Sequence, residues 1–296
     1  MNMNDEKYIR YLRYELNYSV HTVLSYSKDL SQFAQFLGVE SLEPKRVAVG
    51  DVRAWIFSLS KAGMAVRTVR RKVQSLRAYF RYLQKEGVVD ANPVDDIPMA
   101  KVPHPLPVFV REKSMDEVLD EDYDHGDFVA VRNRLIVEMF YETGIRRAEL
   151  ITLEDVNVDS RAGELKVLGK RNKERIVPFG PRLGALVEVY RALRKRLSPE
   201  SDRFFVTEKG RAVYPTLVYN VVTGALSSVT ESKRSPHVLR HSFASAMLNH
   251  GAGINSVKEL LGHESLADTQ VYTHITYREL KQNYKHAHPR ALKKGG

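Results

Sequence analysis

Five prolines fall within residues 92–107 (NPVDDIPMAKVPHPLP), and they divide the 296-residue chain more firmly than any other feature. Proline fixes φ and removes a backbone donor, so neither helix nor sheet can run through this stretch. The sequence on each side must build its own core, and 43% apolar residues are enough for two. The expectation is a domain over 1–91, a linker over 92–107 and a second domain over 108–296.

The first ninety residues carry helical signals. Ser19 is placed to cap a helix that keeps Val20, Leu24, Leu30, Phe33 and Leu37 at roughly helical spacing. Asp51 is placed to cap a second helix, VRAWIFSLSKA, which stops at Gly63. From Val66, the residues Val69, Val73, Leu76, Phe80 and Leu83 continue at intervals of three and four, marking one buried stripe. Between Lys61 and Lys85 stand eight Lys or Arg residues and no Asp or Glu. Arg67, Arg70, Arg71, Arg77 and Arg81 lie off the apolar stripe. Such a face is either solvated or covered by an anion, and the lack of acidic neighbours favours contact with a phosphate backbone.

The whole chain leans the same way. Its net charge is +10, from 46 basic and 36 acidic residues, which favours a polyanionic partner. Nucleic acid ranks ahead of a membrane surface, because no basic amphipathic segment carries an aromatic insertion face. Cysteine is absent, which excludes disulfides, thiolate metal sites and cysteine nucleophiles. The charged opening MNMNDEKYIRYLRYEL has no apolar signal core, and no run is long enough to span a bilayer, so a cytoplasmic location is expected.

Beyond the prolines, VRNRLIVEMFYETG reads as helix. VNVDSRAGELKVLGKRNKERIVPFG then switches to β chemistry, with Leu165 and Val167 alternating with polar residues. The pattern fits a small antiparallel meander whose tip carries Lys170, inside a fold that is otherwise mainly α. The acidic run DEDYDHGD resembles a calcium loop only superficially. It lacks glycine at the sixth position from Asp120 and has Val131 where a bidentate Glu belongs, so it reads as a solvated loop.

The chemistry concentrates in the last sixty residues. In SPHVLRHSF, Ser235 is placed to cap a helix and Pro236 suits its first turn. His237 and Arg240, three apart, share one face near that N-terminus, where free N–H groups favour an anion. His237 and His241 also have the i,i+4 spacing of zinc ligands, but Val238 stands where a zincin has Glu. NSVKELLGH makes a short helix ended by Gly262, with His263 just past it and Tyr272 nine residues on. A phenol with a pKa near ~10 is ionised only about one part in a thousand at neutral pH, so a nucleophilic tyrosine needs a base and cationic help. This company supplies both. Upstream, YETGIRRAEL places Arg146 after a glycine turn with Glu149 three residues on. Either an exposed i,i+3 ion pair or a guanidinium held ready for phosphate fits, and position alone does not choose between Arg146 and Arg147.

TGIRRAEL, GKRNKERIVP, HVLRHSFA, LLGH and VYTH, in this order and spacing, resemble the catalytic domain of tyrosine site-specific recombinases of the phage-integrase type, and the Xer group in particular. The resemblance covers essentially the whole chain. It implies a helical, SAM-like core-binding domain, a linker, an α+β catalytic domain and a tail from about 277. It implies that Arg146, Arg240 and His263 bind the scissile phosphate, that Lys170 protonates the leaving 5′ oxygen, and that His237 helps take the phenolic proton. Tyr272 would be the nucleophile joined to the 3′ phosphate, and Glu149 the acidic residue behind the arginine. Neither metal nor ATP is implied. Arg171 and Glu264 are small departures from the family pattern.

The implied partners are double-stranded DNA with a dif-like site, three further protomers, a second Xer recombinase and an FtsK-type translocase. Tyr277, Leu280, Tyr284 and His288 form one face of the tail, which the resemblance would dock onto a neighbouring protomer in the tetramer. The expected function is strand exchange that resolves chromosome dimers. A mobile-element or phage integrase is the alternative, although many of those have an arm-binding domain ahead of the core-binding one. A non-catalytic DNA-binding protein fits less well, because a binder has no use for a nucleophile.

Overall fold

Apolar residues at three- and four-residue spacing build the first unit from helices α1 (Met3–Arg10), α2 (Val20–Phe36), α3 (Val49–Lys61) and α4 (Val66–Lys85). The computed structural model describes residues 3–99, 108–169, 173–230, 234–262 and 277–292, and the chain divides into two units, Met1–Pro105 and Leu106–Gly296. Ser19 caps α2 by accepting from the Thr22 amide at 3.2 Å. Helix α3 starts two residues before Asp51, whose carboxylate accepts from the Ala48 amide at 2.8 Å. Helix α4 packs against α1, α2 and α3, burying Val73, Leu76, Phe80 and Leu83 almost completely. Val66 is exposed, so the stripe begins at Val69.

The proline-rich stretch is packed structure for half its length. Val94 and Ile97 are buried in the first core. Their carbonyls accept from Arg77 Nη2 at 2.9 and 3.1 Å, and Asn92 Oδ1 accepts from the Val94 amide at 3.0 Å. The expected linker over 92–107 therefore begins too early. Prolines exclude helix and sheet but do not prevent a Val and an Ile between them from being buried, provided side chains satisfy the backbone. Residues 100–107 lie outside the described residues.

The second unit begins with α5 (Glu112–Asp120), α6 (Phe128–Thr143) and α7 (Arg147–Thr152). Strands β1 (Val158–Asp159), β2 (Glu164–Leu168) and β3 (Glu174–Pro178) follow as an antiparallel sheet in the order β1-β2-β3. Then come α8 (Pro181–Arg196), α9 (Pro215–Ala225), α10 (Pro236–Asn249), α11 (Ile254–Leu261) and α12 (Tyr277–Ala287). Helix α6 is the central element, packed against α8, α9 and α10 with Leu135, Ile136, Met139 and Phe140 fully buried. Asp127 caps it by accepting from Val129 and Ala130 amides at 3.2 and 2.9 Å. The acidic run is exposed along nearly all its length, as a solvated loop would be, while its first residue, Asp120, pairs with Arg182 and Arg290.

The register of β2 with β3 pairs Leu165 with Val177 and Val167 with Arg175. The two-residue side-chain period then puts Leu165, Val167 and Val177 into the core.

The described part of the tail packs on its own chain. Helix α12 contacts α10, α11 and β3, and Leu280, Tyr284, Ala287 and Ala291 join Phe243, Met247 and Leu260 in one cluster. His288 and Arg290 are also buried. The four-residue stripe is thin, but it completes a core whose other half comes from α10 and α11. Among the described residues, no helix is long and apolar enough to cross a membrane.

Candidate active site

Helix α6 ends at Gly144, whose φ of +60° turns the chain sharply into α7. A side chain there would strain the backbone and strike Phe243, since an added Cβ would stand 2.5 Å from its ring. The turn delivers Arg146 to the N-cap of α7. Glu149, one helical turn on, accepts from the Arg146 amide at 2.7 Å and from its Nη1 at 2.8 Å. Arg147 points to solvent. Of the two adjacent arginines, Arg146 is therefore the one turned into the unit, and Glu149 holds it.

Three arginines from three distant segments then meet one short piece of backbone. Arg175 Nε donates to the Leu260 carbonyl at 2.8 Å, Arg240 Nη2 to Leu261 at 2.6 Å, and Arg146 Nη2 to Gly262 at 2.5 Å. Arg240 Nη1 also reaches the Gly144 carbonyl at 2.6 Å. The last carbonyls of a helix have no intrahelical partners and carry its negative dipole end, so this is a natural seat for cations. Gly262, with φ of +64°, closes α11 in the left-handed conformation, and an added Cβ would stand 3.1 Å from the Arg175 guanidinium. The next residue in the chain is His263.

The electrostatics match the crowding. Burial, and then the charge of Arg146, pull the Arg240 guanidinium down to about 10, still protonated at neutral pH. Burial opposes ionisation of Glu149, but hydrogen bonds from Arg175 and Arg146 outweigh it and hold the carboxyl below the usual carboxylate range. Three guanidinium charges against one carboxylate leave an excess of two, with Arg146 the most open of the three (side chain 34% exposed). An excess of two positive charges, presented on planar guanidinium forks, suits an oxyanion ligand.

His237 lies exposed in the first turn of α10, one turn before the buried Arg240. Pro236 occupies the first position of that helix as expected, but Ser235 does not cap it through its side chain. Its hydroxyl is buried and, among the described residues, has no hydrogen-bond partner. Lys170, His263 and Tyr272 lie outside the described residues, as do Arg171 and Glu264. Gly169 donates to the Lys173 carbonyl at 2.7 Å on either side of the segment that contains Lys170.

The basic face of α4 separates into two groups. Arg67, Arg70 and Arg81 are exposed. Arg71, although also exposed, forks the buried Asp29 of α2 (Nη2 to Oδ1, 2.9 Å), where Lys72 and Ser75 also bind, and Arg77 holds the Val94 and Ile97 carbonyls. The missing acidic partners of this helix come partly from another helix, which spacing along α4 alone does not reveal. Sequence reasoning also misses Arg175. Its signal is the alternation in ERIVP, which puts Arg175 on the same face as the buried Val177.

Residues 109–279 match the phage integrase family, and residues 6–87 match the phage integrase N-terminal SAM-like domain. Tyrosine recombinase XerC of Chlorobaculum parvum is 37% identical over 97% of this chain and 94% of its own length. The protein of the same name from Listeria innocua is 34% identical over 97% and 98%. Among solved structures, XerH site-specific recombinase bound to difH substrate aligns with a TM-score of 0.68 at 20% identity, covering 95% of this chain and 81% of that one. A lambda integrase dimer bound to a COC′ core site aligns at 0.67 and 16% identity, covering 93% and 98%. The fold is shared across both. Matched by the family model over more than half its length and by curated relatives along nearly all of it, this chain belongs to the phage integrase family and is a tyrosine recombinase, an enzyme that cleaves and rejoins DNA.

Proposed function

We propose that the chain is a Xer-type recombinase that exchanges strands at a dif-like site through a 3′-phosphotyrosine formed on Tyr272. The observation that carries this reading is the convergence of Arg146 and Arg240 on the carbonyls that lead directly into His263. In this mechanism Arg146, Arg240 and His263 bind the non-bridging oxygens of the scissile phosphate. Tyr272 Oη attacks phosphorus as His237 takes the phenolic proton. The bond to the 5′ oxygen breaks, and Lys170 supplies the proton that this leaving group needs. Charge gathers on the equatorial oxygens of the pentacoordinate phosphorus, where each well-placed donor contributes roughly 3 kcal/mol. The new phosphotyrosine bond keeps the energy of the broken linkage, so a second 5′ hydroxyl can reverse the step and join a different strand.

Exposed Arg67, Arg70 and Arg81 on α4 would lie along the phosphate backbone. The proposed setting is the cytoplasm, in a tetramer that pairs two duplexes, with a second Xer recombinase and an FtsK-type translocase acting in chromosome-dimer resolution. Because α12 packs on its own chain, tail exchange between protomers would require that packing to be released. A nicked suicide duplex, on which the cleaved end diffuses away, tests the reading. Wild type should accumulate a covalent protein–DNA adduct and Tyr272→Phe none. An adduct surviving that substitution would overturn the assignment of the nucleophile.

A further inference from the structure

We propose that Arg175 is a positioning residue for strand cleavage, one that carries the charge of Glu149 so that Arg146 keeps its own positive charge for the phosphate. The inference rests on the role given to Arg146 above.

Glu149 is buried, with its side chain 4% exposed, and brings one negative charge to two guanidiniums. Arg175 engages it as a fork, Nη1 to Oε1 at 2.7 Å and Nη2 to Oε2 at 2.9 Å. The Arg146 side chain makes a single contact, Nη1 to Oε1 at 2.8 Å. A bidentate pair is the stronger and more directional of the two, so Arg175 holds the larger share of the carboxylate. Its remaining Nε donor is used by the Leu260 carbonyl. All three nitrogens of Arg175 therefore face inward, and its side chain is only 15% exposed against 34% for Arg146. One arginine is fixed as a counter-ion. The other is left partly open.

The chain builds this division of labour at several points. The β2–β3 register sets Arg175 opposite Val167 and beside the turn that ends α11. Gly262 leaves room for the guanidinium, which any side chain there would displace. Glu149 is anchored independently by the Arg146 amide at 2.7 Å, so the carboxylate stays in place whichever guanidinium it pairs with. Without Arg175, a buried carboxylate would have Arg146 as its one strong counter-charge. It would draw that fork inward and cancel the charge meant for phosphate.

This predicts a rescue that a purely structural arginine would not give. On the nicked suicide duplex at saturating protein, Arg175→Met should slow adduct formation at least about tenfold, the size expected if Arg146 loses one charge-assisted hydrogen bond to the phosphate. The noncovalent complex in a band shift should keep wild-type strength, since the side chain faces inward. Arg175→Met combined with Glu149→Gln should recover much of the rate, because no carboxylate remains to quench Arg146. Arg175→Lys, which keeps the charge without the fork, should fall between. If Arg175→Met proves too unstable to purify, Arg175→Lys with and without Glu149→Gln makes the same comparison. Wild-type cleavage by the single variant, or a double variant as slow as the single, would overturn the proposal. Wild type and Tyr272→Phe run alongside separate this outcome from failure of the Tyr272 assignment, which would show as an adduct in the latter or none in the former.

Discussion

Arg146 and Gly262 are 116 positions apart in sequence, yet Arg146 Nη2 donates to the Gly262 carbonyl at 2.5 Å. This hydrogen bond joins the turn after α6 to the end of α11, and with Arg240 on the neighbouring carbonyl it collects the cationic groups at the last turn of that helix. The hydrogen bonds use only part of each guanidinium, which has five donors. Both arginines can therefore be positioned by backbone carbonyls and still present donors to an incoming phosphate.

The buried Arg290 should be the main anchor of the C-terminal segment. Its side chain is fully enclosed and pairs with Asp116 at 2.7 Å, Asp120 at 3.2 Å and Glu138 at 3.5 Å. Burial already raises the Glu138 carboxyl above its usual range despite the opposing charges of Arg290, Arg134 and Arg182. Removing one partner of a buried ion cluster leaves charge uncompensated, so Arg290→Met should cost about 3 kcal/mol in a denaturant titration at neutral to alkaline pH. The raised acid is stabilised by its proton, so the cost should shrink at acidic pH, where Glu138 can accept one. A loss independent of pH would contradict this.

Glu142 gives a second pH dependence in the same core. Burial, and next the charge of Glu138, push its carboxyl up from 4.5 to about 8. A folded-state value above the unfolded one means that the protonated group stabilises the fold. That contribution is complete below about 4.5 and is lost as pH rises through 8. Glu142→Gln copies the protonated form and can still accept from the Gly180 amide, which reaches Oε2 at 3.1 Å. The variant should match wild type in acid and exceed it by a few kcal/mol above about pH 8 in unfolding free energy. Parallel curves would show that Glu142 is not the titrating group.

Much of this is legible in sequence because local periodicity decides it. The apolar spacing of α4, the Leu165 and Val167 alternation and the stop at Gly144 each follow from short-range rules, and the folded chain obeys them. What stays hidden depends on tertiary pairing. Arg77 looks like a surface cation until the Val94 and Ile97 carbonyls arrive, and the pairing of Arg71 with Asp29 is invisible until α2 lies beside α4. The tail stripe of Leu280 and Tyr284 looks too thin for a core because Phe243 and Leu260, its partners, are far upstream. Ser235 has the chemistry of a cap, but its hydroxyl makes no hydrogen bond to the helix amides, although its backbone is extended as a cap's is. At the candidate site, Arg146 and Glu149 are within one turn and readable. Arg175 is not, because its role exists only once β3 lies beside the end of α11.

The two groups of α4 arginines should behave differently on DNA. Arg70→Ala with Arg81→Ala should flatten the logarithmic salt dependence of binding by about 2, one for each phosphate no longer neutralised. Arg77→Ala should leave that slope unchanged and lower stability by about 1–2 kcal/mol, because two backbone carbonyls lose their donor. Equal slopes for the double variant and wild type would mean that the exposed face is merely solvated.

The most direct test of the proposed phosphate site is the single-turnover rate of covalent adduct formation by Arg146→Ala on a nicked duplex, measured beside its band shift. Arg146 is partly exposed, so its removal should leave the fold intact. The rate should fall at least about a hundredfold below wild type with the noncovalent complex still formed. An adduct appearing at the wild-type rate would contradict this.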